Sequence, residues 1–165
     1  RASIRDNNPV LFFEHKLLYS EEGEIDDIGI EIGKAKVLTD GNDLTIISYS
    51  HAVKTALETA ELLKEHGINA SVVDLCTLKP LDESTVLEQV RKTGRAVIIQ
   101  DPSSFGGIAS QVCSLITTDS QTFKSLKCQI VQIGGQNSPT PFTKDLEKNS
   151  IPSADICVEQ ILKLF

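Results

Sequence analysis

Hydrophobic and polar positions along this chain switch repeatedly between two spacings. "DLTIISYSH" (Asp43 to His51) is an almost unbroken apolar run with Ile46 and Ile47 at its centre, as expected of a strand covered on both faces. "AVKTALETAELLKEHG" follows with Val53, Leu57, Ala60 and Leu63 at helical spacing, and His66-Gly67 supply a stop. The alternation then repeats. "ASVVDLCTL" reads as a strand, "ESTVLEQVRKTG" as a helix ending in Gly94, and "RAVIIQD" as another buried strand. "GGIASQVCSLITTDS" is a helix of small and apolar residues, "CQIVQIGG" a strand, and "SADICVEQILKLF" a closing helix with Ile156, Ile161 and Leu164 on one face.

Upstream, "VLFFEHKLLY" (Val10 to Tyr19) follows the turn signal Asn8-Pro9 and predicts a strand. The alternation Ile28, Ile30, Ile32 suggests a short extended piece, and Lys36 to Thr39 another before the Asp40-Gly41 turn. The first residues resemble the end of an amphipathic helix anchored by Ile4. Strand and helix in alternation, with short connections, require crossovers that cover both faces of a parallel sheet. The expected fold is therefore a three-layer α/β/α domain spanning residues 1–165, with a mostly parallel sheet of about five strands. The chain opens on Arg1, not Met, which reads as a piece of a longer protein.

Composition narrows the partners. The formal charge of −7, with Lys and Arg scattered, argues against nucleic acid, whose phosphates call for a clustered basic surface. No run approaches the ~20 apolar residues that cross a bilayer, so the expected location is the cytoplasm or an organelle matrix. Cys76, Cys113, Cys128 and Cys157 form no C-x-x-C pair and read as buried free thiols.

In an open α/β sheet ligands gather at the carboxyl ends of the strands, here the loops after Ser50, Leu75, Gln100 and Ile133. In "QDPSSFGG" the glycines Gly106 and Gly107 open a helix whose free amides could hold an anion. Packing is the better reading, because the pattern is neither G-x-G-x-x-G nor a P-loop and Asp101 repels anions. "GGQNSPTPF" (Gly134 to Phe142) is a stiff, aromatic-tipped loop, for which a binding surface and a plain connection remain equally open. His15, His51 and His66 are expected to be structural. "DLCTLKPLD" (Asp74 to Asp82) poses the same choice between a catalytic loop and a turn; Pro80 and a capping Asp82 favour the turn.

Several segments together resemble one family. "NNPVLFFEHKLLY", "IGKAKVLTDGNDLTIISYSHAV", "DLCTLKPLDESTVLEQVRKTGRAVIIQD", "GGIASQV" and "PTPFTKDLEKNSIPSADICVEQI" are similar to the C-terminal part of the beta subunit of thiamine diphosphate-dependent 2-oxo acid dehydrogenases. The "L-x-P-L-D" element alone is shared more widely with transketolase. The resemblance implies a parent enzyme that decarboxylates pyruvate or a branched-chain 2-oxo acid and acylates lipoamide. It also implies that thiamine diphosphate and magnesium are held by the alpha subunit, and that the catalytic glutamate lies in an N-terminal domain preceding Arg1. This domain would then serve assembly, with no catalytic, cofactor-binding or metal residues of its own. Its implied partners are the alpha subunit, a second beta subunit and the dihydrolipoyl acyltransferase core. Candidate docking residues are Lys127, Asn137, Phe142 and Phe165. Departures from the family pattern are Cys76 for arginine, Asp101 and Gln111 for glutamate, Lys127 for an acidic residue and Asn137 for aspartate. Lys127 reverses the sign of any pairing with a basic partner. The rival readings are a transketolase-type enzyme, with Lys79 and Lys144 as the basic residues near the strand ends, and a stand-alone flavodoxin-like binding module.

Overall fold

The sheet comprises β1 (Lys36–Thr39), β2 (Leu44–Ser48), β3 (Ala70–Asp74), β4 (Ala96–Ser103) and β5 (Val131–Gly135), arranged β1-β3-β2-β4-β5. The computed structural model describes residues 1–23 and 29–165, so Ile28 of the expected Ile28–Ile32 extension lies outside the described residues. From Gly29 to Ile32 there is no strand. The helices are α1 (Ala2–Arg5), α2 (Ala52–Glu65), α3 (Glu83–Thr93), α4 (Ile108–Thr118), α5 (Ser120–Ser125), α6 (Lys144–Lys148) and α7 (Ala154–Leu162).

Strands β3, β2, β4 and β5 pair in parallel, and β1 closes one edge antiparallel to β3. Because side chains alternate across a strand, each parallel strand sends one set to each face. Leu44, Ile46, Val72, Val97, Ile99 and Ile133 pack against Ala56, Ala60 and Leu63 of α2 and Cys157 and Ile161 of α7. Ile47, Val73 and Ile98 pack on the opposite side against Val86 and Val90 of α3 and Ala109, Val112 and Ile116 of α4. The result is the expected three-layer sandwich. Thr45 and Ser71 are polar positions on the α3 face; the buried Thr45 hydroxyl donates to the Gln89 carbonyl at 2.9 Å and lies 2.8 Å from the Thr93 hydroxyl, and the Ser71 hydroxyl donates to Gln89 Oε1 at 2.8 Å.

Four further expectations need correction. Val10 to Tyr19 is not a strand: the chain runs unpaired to His15 and then makes a 3₁₀ turn at Lys16–Leu18. An apolar run becomes a strand only where another strand supplies ladder partners, and Phe12 and Phe13 remain 73% and 87% exposed. Ile4 is 89% exposed and anchors nothing among the described residues. In α7 the buried face is Ala154, Cys157 and Ile161, whereas Ile156 is exposed. All four cysteines are free, but only Cys157 is fully buried.

The segment "DLCTLKPLD" resolves as a turn. Asp74 Oδ1 accepts the amide of Cys76 at 2.9 Å, and Cys76 takes a left-handed φ of 51° that few residues with a side chain adopt. Burial and the neighbouring Asp74 push the Cys76 thiol up to about 11, so it stays protonated near neutral pH and is no nucleophile. Asp82 caps α3 by accepting from the Thr85 amide, and it also accepts from the Ser84 and Thr85 hydroxyls and, at 3.0 Å, the Ala35 amide leading into β1. One carboxylate thus joins the edge strand to a helix. Burial by itself would raise this carboxyl, but the bonds from Ala35, Ser84 and Thr85 outweigh it and hold it well below the usual carboxylate range.

Asp82→Ala is expected to lose about 2–4 kcal/mol of stability, since a cap is removed and the Ala35 amide is left without its acceptor. A depressed carboxyl contributes fully above its unfolded value of about 4, and the contribution fades as pH falls through the lower folded value. Urea titrations should therefore show the wild-type advantage at neutral pH shrinking steadily below about pH 4.

Candidate functional site at the carboxyl edge of the sheet

The connection after β2 leads to α2 on one face, and that after β4 leads to α4 on the other. Between these adjacent strands the winding reverses, and such a reversal leaves a crevice at the carboxyl ends. Two side chains meet there. Ser50, with a left-handed φ of 56°, turns the chain out of β2, and His51 immediately after it places Nδ1 2.9 Å from Asp101 Oδ2 on β4. A third group arrives from the N-terminal segment: His15 Nε2 lies 3.8 Å from the same oxygen, and its ring stacks on that of His51 with centroids 4.8 Å apart and planes at 15°. Asp101 Oδ1 is buried without a hydrogen-bond partner among the described residues. The negative charge of Asp101, after burial, also pushes the phenol of Tyr49 up.

His, His and Asp are residue types that ligate transition metals, and one ligand atom from each falls within 4.8 Å of the others. Two details do not fit an ion. The Leu17 amide donates to His15 Nδ1 at 3.3 Å, which leaves the proton of neutral His15 on Nε2, the nitrogen facing Asp101. Near-parallel rings also direct their nitrogens side by side instead of converging on one point. The arrangement suits one carboxylate accepting the His51 Nδ1–H, with His15 Nε2 facing the same oxygen at 3.8 Å, beyond hydrogen-bond reach. An Asp-oriented imidazole is also the core of general-base catalysis, but no serine or cysteine is hydrogen-bonded to His51 among the described residues.

Beside the cluster lies a cavity of about 690 Å³ whose lining includes His15, Leu17, Asp101, Asn137, Glu147 and Lys148. Gln100 shapes the adjoining loop. Fully buried, it donates Nε2 to the Ser103 carbonyl at 2.7 Å and accepts the Ala109 amide at 2.9 Å through Oε1. That occupies an amide of the α4 first turn, where an anion would otherwise bind, and Gly107 sits so close that a Cβ would lie 2.2 Å from Gln100 Nε2. The glycine pair therefore serves packing, and this helix start does not fit the diphosphate of a cofactor.

The candidate docking residues fall into two groups. Lys127 donates its ammonium to the Thr93 carbonyl at 2.8 Å, capping the C-terminus of α3, and Phe165 lies under the Arg95 guanidinium, 4.3 Å from its ring centroid. Both are at the amino end of β4. Asn137 and Phe142 follow the carboxyl end of β5, Asn137 lining the cavity and Phe142 fully exposed. Lys79 is exposed, and the side chain of Lys144 lies outside the described atoms. Sequence reasoning inspected the loops carrying His51 and Asp101 but did not join them to His15. The available signal was a histidine directly after one central strand and a carboxylate at the end of its neighbour.

A profile of the family described as "Transketolase, C-terminal domain" matches residues 33–156. The pyruvate dehydrogenase E1 component subunit beta of Rickettsia bellii is 37% identical over 165 residues, which are 99% of this chain and 50% of that protein. The acetoin:2,6-dichlorophenolindophenol oxidoreductase subunit beta of Cupriavidus necator is 43% identical over 154 residues, covering 92% and 45%. A mitochondrial pyruvate dehydrogenase E1 subunit, beta-2 of Oryza sativa, is 37% identical over 161 residues, covering 94% and 42%. Among solved structures, a split-gene transketolase in an inactive beta4 tetramer matches with a TM-score of 0.73 at 30% identity, over 87% of this chain and 45% of that one. The chain spans about half the length of the curated relatives it matches. No helix among the described residues is long and apolar enough to cross a membrane.

Gly107→Ala is expected to force Gln100 out of its pocket and to cost about 1–3 kcal/mol, the range for overpacking a closed site. Thermal unfolding should register a lowered midpoint.

Proposed function

The chain belongs to the transketolase C-terminal domain family, and from that premise we infer that it is the C-terminal assembly domain of a 2-oxo acid dehydrogenase beta subunit. The observation that carries this reading is collinear similarity over 99% of the chain to half of a pyruvate dehydrogenase E1 beta subunit. The parent enzyme decarboxylates pyruvate or a branched-chain 2-oxo acid and passes the acyl group to lipoamide. Thiamine diphosphate and magnesium are held by its alpha subunit, and the catalytic glutamate lies in a beta N-terminal domain outside residues 1–165. Residues 1–165 form one domain without catalysis of its own, working in the cytoplasm or the mitochondrial matrix. Its contacts are the alpha subunit, a second beta subunit and the dihydrolipoyl acyltransferase core. Exposed Phe12, Phe13, Phe105 and Phe142 support an assembly role, since aromatic side chains are favoured anchors at protein interfaces.

A transketolase-type parent is the second reading, favoured by the split-gene transketolase match. It requires basic side chains placed for a sugar phosphate, for which this chain offers Lys79 and Lys144 near the strand ends.

The deciding experiment assays the full-length protein with its alpha counterpart on pyruvate, branched-chain 2-oxo acids and sugar phosphates. Lipoamide acylation dependent on both subunits and on thiamine diphosphate is expected. Turnover of sugar phosphate alone would transfer the assignment to the second reading, and thiamine-dependent turnover by residues 1–165 alone would remove the non-catalytic role. Phe142→Ala in the assembled enzyme should weaken acyltransferase capture by about tenfold, as for truncation of an exposed anchor, with unchanged thermal stability. Unaltered affinity in a calorimetric titration would place docking elsewhere.

A further inference from the structure

The segment Glu14 to Tyr19 lies outside the residues matched by the family profile, yet it is attached at the crevice between β2 and β4. His15 and Leu17 form part of the cavity wall there. Two contacts tie the segment to the domain, His15 against His51 and Asp101 and, just beyond it, Glu21 to Lys54 of α2, while Tyr19 to Glu14 at 2.7 Å ties the segment to itself. The first of these is the one directed at the crevice. We propose that His15, His51 and Asp101 form a proton-controlled clasp that holds this segment as a strap over the crevice and releases it when both imidazoles carry a proton.

The geometry sets the order of events. One proton is accommodated at His51, because Nδ1 already donates to Asp101 and the added positive charge faces that carboxylate at 2.9 Å. A second proton has only one place to go, His15 Nδ1, and that atom now accepts the Leu17 amide. Protonation sets two N–H groups against each other and ends the cap of the Lys16–Leu18 turn. It also stacks two cations at 4.8 Å with a single carboxylate facing ring nitrogens of both. The other charged groups nearby do not relieve this. Glu14 is bonded to Tyr19 and Glu21 to Lys54, while Glu147 and Lys148 line the cavity as a pair of opposite sign, and Tyr49 is a phenol. The experiment therefore spans the interval of about pH 5 to 8 in which imidazoles as a class change charge.

The test is nuclear magnetic resonance of the whole chain at about pH 8 and about pH 5.5, reading the ring nitrogens of His15 and the backbone order of Lys16 to Tyr19. At the higher pH, His15 should show a bare Nδ1 and the strap should be close to rigid. At the lower pH, Nδ1 should be protonated and the strap order parameters should fall below about 0.6, while Ile46 in β2 is unchanged. In His15→Gln the strap should have the same order at both values. In His51→Gln, which removes the stacked cation, the acid-induced loss should be smaller. Strap order in wild type that is indifferent to pH, or an acid response that survives intact in His15→Gln, overturns the clasp. A third overturning result is ordering of the strap by added Zn²⁺ with a shift at His15 Nε2, which would make the cluster a metal site.

Discussion

Because β3, β2, β4 and β5 all run the same way, the chain must return across a face of the sheet after each of them, and every carboxyl end is delivered to one edge. Covering both faces is what makes Leu44 to Ser48 apolar or satisfied at every position. The same rule, with α2 on one face and α4 on the other, reverses the winding between β2 and β4 and opens the crevice where His51 and Asp101 meet. Neither residue is specified by this topology. What it specifies is that a polar group after β2 and one at the end of β4 face each other.

Where helices begin and end, a few polar side chains satisfy backbone groups that the layers leave over. Asp82 accepts from both α3 and the segment entering β1, and Gln100 bridges its own loop to the start of α4. Lys127 performs the converse task at the C-terminus of α3, where a cation suits the helix dipole. Lys127, singled out in the sequence as a candidate docking residue, therefore has a local structural use.

The buried strands and their helices were legible because burial on both faces leaves an unambiguous apolar record in "DLTIISYSH", "ASVVDLCTL" and "RAVIIQD". Val10 to Tyr19 carried the same record and misled, since apolar spacing reports what a segment can bury and not whether a neighbouring strand is there to pair with. The helices α5 and α6 are six and five residues long and too short for periodicity to reveal. Asp82 was readable from its position before "ESTVLEQV", whereas its bond to Ala35 was not, because the two are 47 residues apart. The clasp escaped for the same reason: His51 and Asp101 are 50 residues apart, and His15 comes from a segment read as pleated. Histidines in an apolar setting are common, and only the fold brings two of them to one carboxylate.

Lys127 and Phe165 sit at one end of the strands, with Asn137 and Phe142 at the other. A five-residue strand at ~3.3 Å per residue separates the two ends by roughly 17 Å. A compact partner cannot rest on both with one small patch. Were both ends used in docking, the sheet would act as a spacer between them, and two weak contacts on a single partner would reinforce each other only if that partner reached along the whole strand.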